Sequence, residues 1–361
     1  MLLTKITLHH FRSYDKITLP FSSRITSIVG PNTAGKTNIL EAISLLSTGK
    51  SFRAESDKET ISWGEEMSRV SGITGDDTKL EIVLTNGMVS GIKTPIKKYL
   101  VNGVSKRMID FVGKFRAVLF WPQHLDIVTG SPGLRRRYID SVLVQVDREY
   151  RRNLQSYEKG LRQRNKLLER IKIGEATVGQ LLFWDQLLIK AGGYITDTRL
   201  RFITYLNSTP FPVTSFSIRY DKSVISASRL EEYQPAEIAS KMTLVGPHRD
   251  DCIFEFADID SVKANREVAK YGSRGEQRLV VLWLKLGELA FLKDETGDKP
   301  VLLLDDIFSE FDESHRDLVW NIVASQQTIL ASADMHSMPE AIKRDVQVIE
   351  LENNAGINRV K

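Results

Sequence analysis

At 361 residues with 42% apolar side chains, the chain can bury a sizeable core and is long enough for one large domain or two ordinary ones, which excludes a disordered polypeptide. Cys252 is the only cysteine, so an intramolecular disulfide and a cysteine-rich metal centre are excluded and a reducing compartment fits. The formal net charge of +4 says little as a sum, but between Ser131 and Lys172 twelve Lys/Arg face five Asp/Glu, a local net of +7 that leaves the remainder slightly acidic.

The opening Met1-Leu2-Leu3-Thr4-Lys5-Ile6 lacks the basic start, long apolar centre and cleavage site of a signal peptide. No run approaches the roughly 18 apolar residues of a membrane span. The expectation is a soluble, cytoplasmic protein without a membrane partner. Leu3 to Leu8 alternates like a half-buried strand, and the β-branched run Arg24 to Val29 leads into Gly30-Pro31. From Thr37 the spacing of Ile39, Leu40, Ile43 and Leu46 is helical, giving strand, glycine loop and helix in that order. Residues 70 to 104 read as short antiparallel strands. Tyr150, Leu154, Tyr157, Leu161 and Leu168 mark an amphipathic helix with arginines on its other faces, and helical pattern continues from Leu181 to Leu206 until Thr209-Pro210-Phe211-Pro212 breaks it. Strand-like composition returns at Ile218, followed by a helix after Gly275, an apolar strand before Asp305 and another at Thr328-Ile329-Leu330. This order predicts an α/β domain over 1–125 and 240–361, split by a helical insert over 126–239.

Three motifs carry chemistry. Gly30-Pro31-Asn32-Thr33-Ala34-Gly35-Lys36-Thr37 fits the P-loop pattern: backbone N–H groups wrap phosphates, Lys36 neutralises the β/γ oxygens, and the Thr37 hydroxyl ligates Mg²⁺ at a helix N-terminus. Val301-Leu302-Leu303-Leu304-Asp305-Asp306 reads as a buried parallel strand that delivers two carboxylates at its C-terminal edge. Asp305 is expected in the Mg²⁺ shell and Asp306 as the group that orients or deprotonates the attacking water. Ser273-Arg274-Gly275-Glu276-Gln277-Arg278 precedes a helix with Leu279, Leu282, Leu286 and Leu289, so its N–H groups are available to an anion. Taken alone it is also a plain helix cap.

This last motif resembles the signature of ABC ATPases, which reaches the γ-phosphate held by the opposite subunit; Ser273, Gly275 and Gln277 are then nucleotide-binding residues and an ATP-dependent homodimer is implied. Five further segments resemble the RecF family within that class: Ser51-Phe52-Arg53; Val118-Leu119-Phe120-Trp121-Pro122; Gly130-Ser131-Pro132 with Arg135-Arg136-Arg137; Gln163-Arg164-Asn165-Lys166-Leu167-Leu168; and Gly246-Pro247-His248-Arg249-Asp250-Asp251. Ser309-Glu310-Phe311-Asp312 resembles the D-loop, and Gln123 falls at the Q-loop glutamine that senses the γ-phosphate. The resemblance implies an ABC-type ATPase head with an inserted helical domain, ATP and Mg²⁺ as cofactors, weak DNA-dependent ATP hydrolysis, binding to duplex and to single-strand/duplex junctions, and cooperation with RecO and RecR in loading RecA during recombinational repair.

The sequence departs in three places, the first from the family and the other two from ABC ATPases at large. Thr33 stands where glycine is usual, and a β-branched residue resists positive φ, so a strained or differently shaped loop is expected. Asp306 replaces the more common Glu, which implies slow turnover. Ala331-Ser332-Ala333-Asp334 lacks the usual switch histidine, and His336 is a poor substitute. His248 and Asp250 read as a hydrogen-bonded turn rather than as metal ligands. The basic run assigns DNA contact to Arg135, Arg136, Arg151, Arg152 and Arg162. Its basic insert sets the chain apart from a transporter ATPase, and about 110 residues of mixed helix are too few for the long arm of an SMC or Rad50-like tether. A non-hydrolysing or SMC/Rad50-like DNA clamp ATPase with a structural role remains the alternative.

Overall fold

The computed structural model describes residues 1–209, 216–257, 264–332, 345–352 and 357–360. They form two compact units, Met1–His124 with Glu288–Lys361, and Leu125–Gly287. In chain order the first stretch contributes β1 (Leu3–Phe11), β2 (Tyr14–Pro20), β3 (Ile25–Val29), α1 (Lys36–Thr48), β4 (Met67–Thr74), β5 (Lys79–Thr85), the two-residue β6 (Met88–Val89) and β7 (Ile92–Lys93), β8 (Lys97–Val101), β9 (Val104–Lys106), α2 (Met108–Phe111) and β10 (Ala117–Phe120). The second unit follows with α3 (Leu125–Thr129), α4 (Pro132–Val146), α5 (Arg148–Lys172), α6 (Leu182–Ser208), β11 (Phe216–Asp221), α7 (Ala227–Ser240), β12 (Asp251–Phe256) and α8 (Val268–Tyr271). Then come α9 (Arg274–Thr296), β13 (Val301–Asp305), α10 (Glu313–Val323), β14 (Thr328–Ser332), β15 (Val346–Leu351) and β16 (Ile357–Val360). None of the described helices is long and apolar enough to cross a membrane.

In the first unit, one sheet has the order β10-β13-β14-β3-β15-β16, parallel except for its β15/β16 edge. Its central strands are covered on both faces: all five residues of β13, an apolar run ending in Asp305, and four of five in β3, Thr26 and Ser27 among them, are buried. The second sheet, β2-β1-β4-β5-β8-β9, is antiparallel, and its strands alternate more openly, as in β2 with Tyr14, Ile17 and Leu19 inward. Helix α1 packs on strands of both sheets and accordingly buries Ile39, Leu40, Ala42, Ile43, Leu45 and Leu46 around most of its circumference.

The second unit joins helices α4 to α7 to the antiparallel pair β11/β12. Helix α5 buries Tyr150, Tyr157 and Leu168 from its expected apolar stripe, while Leu154 and Leu161 are only half-buried. Contacts alone group residues 240–287 with these helices. The division at 239 read from the sequence concerns the ATPase motifs and remains a proposal. Helix α7 was not expected: Pro235 lies inside it, and Ser226 caps its start by accepting the Arg229 N–H. Of the Thr209 to Pro212 breaker, residues 210–212 lie outside the described residues.

A single buried side chain fastens the two sheets of the first unit. Gln327, the residue before β14, accepts from the Leu3 N–H at 2.8 Å and donates to the Leu3 and Ser22 carbonyls at 2.7 Å each. Gln327→Ala leaves those groups without partners, and unfolding in urea should show a loss of about 1–3 kcal/mol with an unchanged slope. A midpoint equal to that of the parent chain removes this fastening role.

Candidate nucleotide site

The phosphate loop lies between β3 and α1. Gly30 has φ +155° and Gly35 φ +87°. Gly35 also leaves no room for a side chain, since an added Cβ would sit 2.8 Å from the Tyr14 hydroxyl, which itself donates to the Ala34 carbonyl at 3.0 Å. Pro31, Asn32 and Thr33 form the exposed crest, with Ala34 buried beneath it. The strain expected at Thr33 does not arise: Thr33 is not among the residues with positive φ, and the glycines on either side take the left-handed turns. Lys36 is buried, and its Nζ donates to the Gly30 and Pro31 carbonyls at 2.6 and 3.0 Å along the inner wall of the loop. Burial lowers the Lys36 pKa, opposed by the nearby charges of Asp306 and Asp305.

Sheet order brings the acids to this loop. Strand β14 separates β3 from β13, and both neighbours run parallel to it, so the loop after β3 and the end of β13 open at the same sheet edge. There the Thr37 hydroxyl donates to Asp305 Oδ2 at 2.8 Å. Burial raises the Asp305 pKa and Asp306 adds to this, while the Thr37 bond, Lys36 and Arg53 oppose it. A hydroxyl and a buried carboxylate at one point are the hard oxygen donors Mg²⁺ takes, and a dication would stabilise the ionised form that burial disfavours. Thr37 and Asp305 fit that ion. Asp306 follows in a left-handed conformation, φ +48°, with its side chain exposed. Strand β10 pairs with β13 in the register Phe120↔Leu304, so the turn Pro122–His124 leaves beside Asp305 and presents Gln123 to solvent.

The signature segment belongs to the second unit. Ser273 and Glu276 form a reciprocal pair, the Ser273 N–H donating to Glu276 Oε2 at 2.7 Å and the Glu276 N–H to Ser273 Oγ at 3.3 Å. Gly275 is exposed. Gln277 corrects an expectation: its side chain is buried, and Nε2 faces the Val268, Ala269 and Gly272 carbonyls at 3.2 to 3.4 Å. These bonds hold the segment in shape. Ala333, Asp334 and His336 lie outside the described residues.

The basic run also divides. Arg135 makes a two-pronged pair with Asp251, at 2.7 and 3.0 Å, and donates to the Gly130 carbonyl. Arg136 donates to the Asp250 carbonyl, and Arg151, 7% exposed, to the Val144 carbonyl. Arg151 is buried and Arg135 and Arg136 are half-buried, and all three engage carbonyls or acids of their own unit. Arg152, paired with Glu149 at 2.7 Å, and Arg162 are exposed. They share the outer face of α5 with Arg148, Lys159, Lys166 and Arg170, opposite Tyr150, Tyr157 and Leu168. Sequence reasoning missed Arg164, 1% exposed, which pairs with Asp185 and Glu237 at 2.6 and 2.7 Å, and Arg199, which pairs with Asp140 and Asp250. For Arg164 a signal was present, since it falls seven residues after Tyr157 and four before Leu168, on the buried stripe of α5.

Residues 2–355 match the family described as RecF/RecN/SMC N terminal domain. The chain is 34% identical to the DNA replication and repair protein RecF of Roseiflexus castenholzii, over 92% of this chain and 93% of the relative. It is likewise 34% identical to the protein of that name from Moorella thermoacetica, over 97% and 94%. A solved structure of the recombination mediator protein RecF-ATPrS in the RecFOR pathway superposes with a TM-score of 0.85 at 27% identity, over 98% of this chain and 97% of that one. The corresponding RecF-ATP structure gives 0.83 at 28%, over 99% and 98%.

His248 sits in the turn Pro247–Arg249, where Nδ1 accepts from the Tyr157 hydroxyl at 2.8 Å and Nε2 donates to the Thr243 carbonyl at 3.0 Å. Both nitrogens are used within the protein. Burial pushes the His248 pKa down to about 4 from its ordinary 6.5. Between these values the unfolded chain takes up a proton that the folded chain refuses, so stability is full above pH 6.5 and falls as the pH drops toward 4. Urea unfolding across this window should show a loss of about 3 kcal/mol attributable to His248. The His248→Gln variant should lose that part of the pH dependence; an identical profile in the variant rules out His248 as its source.

Proposed function

Because this chain belongs to the RecF family of DNA replication and repair proteins, we propose that it is an ATP-driven clamp whose dimer closes on gapped or junction DNA and reopens on hydrolysis. The observation that carries the nucleotide half of this reading is the 2.8 Å bond between Thr37 and Asp305, which joins the phosphate loop to the acidic strand end. In this reading Gly30 to Thr37 wrap the phosphates and Lys36 neutralises the β/γ oxygens. Thr37 and Asp305 hold Mg²⁺, which supplies charge neutralisation to the transferred phosphoryl group when bound. Asp306 orients or deprotonates the attacking water, and Gln123 senses the γ-phosphate from the same sheet edge. Ser273 and Gly275 complete the site of the opposite subunit, with Gln277 shaping their loop. The family's association with RecO and RecR and with RecA loading is extended to this chain on the same premise.

DNA contact falls to the exposed face of α5, with Arg152 and Arg162 as the retained candidates. Phosphate is the contact expected of such a row, because long cationic side chains on a single helix face track a backbone and read no bases.

Two measurements test these assignments. Asp306→Asn keeps the Mg²⁺ donors and removes the carboxylate that handles water, so sedimentation with ATP should show a closed dimer accumulating while single-turnover hydrolysis stops. Hydrolysis at the parent rate takes Asp306 out of the mechanism. For DNA, Arg152→Glu/Arg162→Glu should weaken duplex binding and lower the slope of log affinity against log salt by about 2, with ATP binding retained. Parent-like affinity and slope move the DNA site off α5.

A further inference from the structure

Helix α1 carries an acid that no motif explains. Glu41, one turn beyond the phosphate loop, is 0% exposed in a chain where ionised carboxylates are costly to bury. It accepts four side-chain donors: Arg12 Nε and Nη2 at 2.9 and 2.7 Å, Arg53 Nε at 2.8 Å and Ser51 Oγ at 2.5 Å. Two guanidiniums therefore meet one carboxylate, and one positive charge is left over.

The two arginines differ in what else they do. Arg12, 19% exposed, is consumed by structure: besides both bonds to Glu41 it donates through Nη1 to the Glu59 carbonyl at 2.7 Å. Arg53, 30% exposed, donates through Nη2 to Asn38 Oδ1, and Asn38 is the residue after Thr37. Its third nitrogen, Nη1, has no hydrogen-bond partner among the described residues. The Asn38 amide is held in turn by Ser13 Oγ at 2.9 Å. The uncompensated charge thus lies on Arg53, held through Asn38 at the end of α1 where the helix N-terminus and Lys36 already favour an anion.

We infer that Glu41 is a positioning residue of the nucleotide site: from its buried place on α1 it aims the Arg53 guanidinium at the phosphate-binding end of that helix. The inference rests on the nucleotide reading above. A guanidinium with its Nε and Nη2 fixed loses little further freedom when it meets a phosphate oxygen, so the acid's contribution appears as ATP affinity.

The test is a double-mutant cycle on the full chain, read by titration of a fluorescent ATP analogue with Mg²⁺ and by thermal melting. Glu41→Gln should bind ATP at least about tenfold more weakly, Arg53→Gln similarly, and the double variant no worse than Arg53→Gln alone, because the acid acts through that arginine. Glu41→Asp, which keeps the charge, should recover part of the loss. If Glu41→Gln does not fold, Arg12→Gln/Glu41→Gln removes one charge of each sign and carries the same expectation. Parent-like ATP affinity with a lowered melting temperature, or effects that simply add, overturns the positioning role and leaves Glu41 structural. Failure of the unmutated chain to bind ATP is a different result, which removes the nucleotide reading itself.

Discussion

A hydroxyl and a carboxylate 268 residues apart in sequence share one 2.8 Å bond, and most of the first unit is the apparatus that lets them do so. Thr37 opens α1 and Asp305 closes β13, so their meeting requires β14 to pair with both β3 and β13 in parallel register. Long-range parallel pairing is slow to form and is stabilised only when both sheet faces are covered. Helix α1, buried on most sides, supplies one such cover. The same helix delivers Lys36 and Thr37 at its start and Glu41 one turn later, so a single packing decision fixes an anion site and the acid beside it.

The electrostatics of that corner follow from dehydration. Burial lowers the Lys36 pKa and raises that of Asp305, each pushed toward its neutral form, while their mutual attraction works the other way. A site built of partly desolvated opposite charges is poised for a ligand that brings both signs, and a nucleotide with a divalent cation is such a ligand. Arg53 adds a further positive charge, and buried Glu41 offsets one of the two guanidinium charges that meet on it, so the Arg12–Glu41–Arg53 trio keeps one net cation rather than two.

The elements legible in the sequence were those in which local pattern and burial coincide: β3 as a β-branched run, β13 as an apolar one, α1 and α9 as spaced helices, α5 by its stripe of Tyr150, Tyr157 and Leu168. Helix α7 was hidden by Pro235, whose breaking signal is overridden by a Ser226 cap and by packing on α5 and α6. Within the site, Lys36, Thr37 and Asp305 were legible because their spacing encodes their chemistry. Gln277 and the arginines were not. A long polar side chain at a helix edge can turn to solvent or to a carbonyl of its own unit, and the choice depends on what lies across from it: Asp251 for Arg135, the Val144 carbonyl for Arg151, the Gly272 carbonyl for Gln277. Those partners come from other turns and strands, which a linear pattern does not align.

Asp306 shows the backbone acting on residue choice. The chain leaves β13 through a left-handed residue, φ +48° and ψ +33°, whose N–H still donates to the Ala331 carbonyl at 3.0 Å, keeping the last rung of the sheet intact while the chain turns into the 3₁₀ segment Ile307–Glu310. Left-handed backbone disfavours most side chains by roughly 1–2 kcal/mol, and Asp is among the few non-glycine residues that visit it routinely, because its short side chain bonds locally. A longer acid would reach further toward a nucleotide but would meet that penalty without the same relief. The shorter carboxylate is therefore the acid this turn tolerates best, and where it points is set by the fixed position of the strand end. That position is set by the sheet register that also holds Asp305 against Thr37.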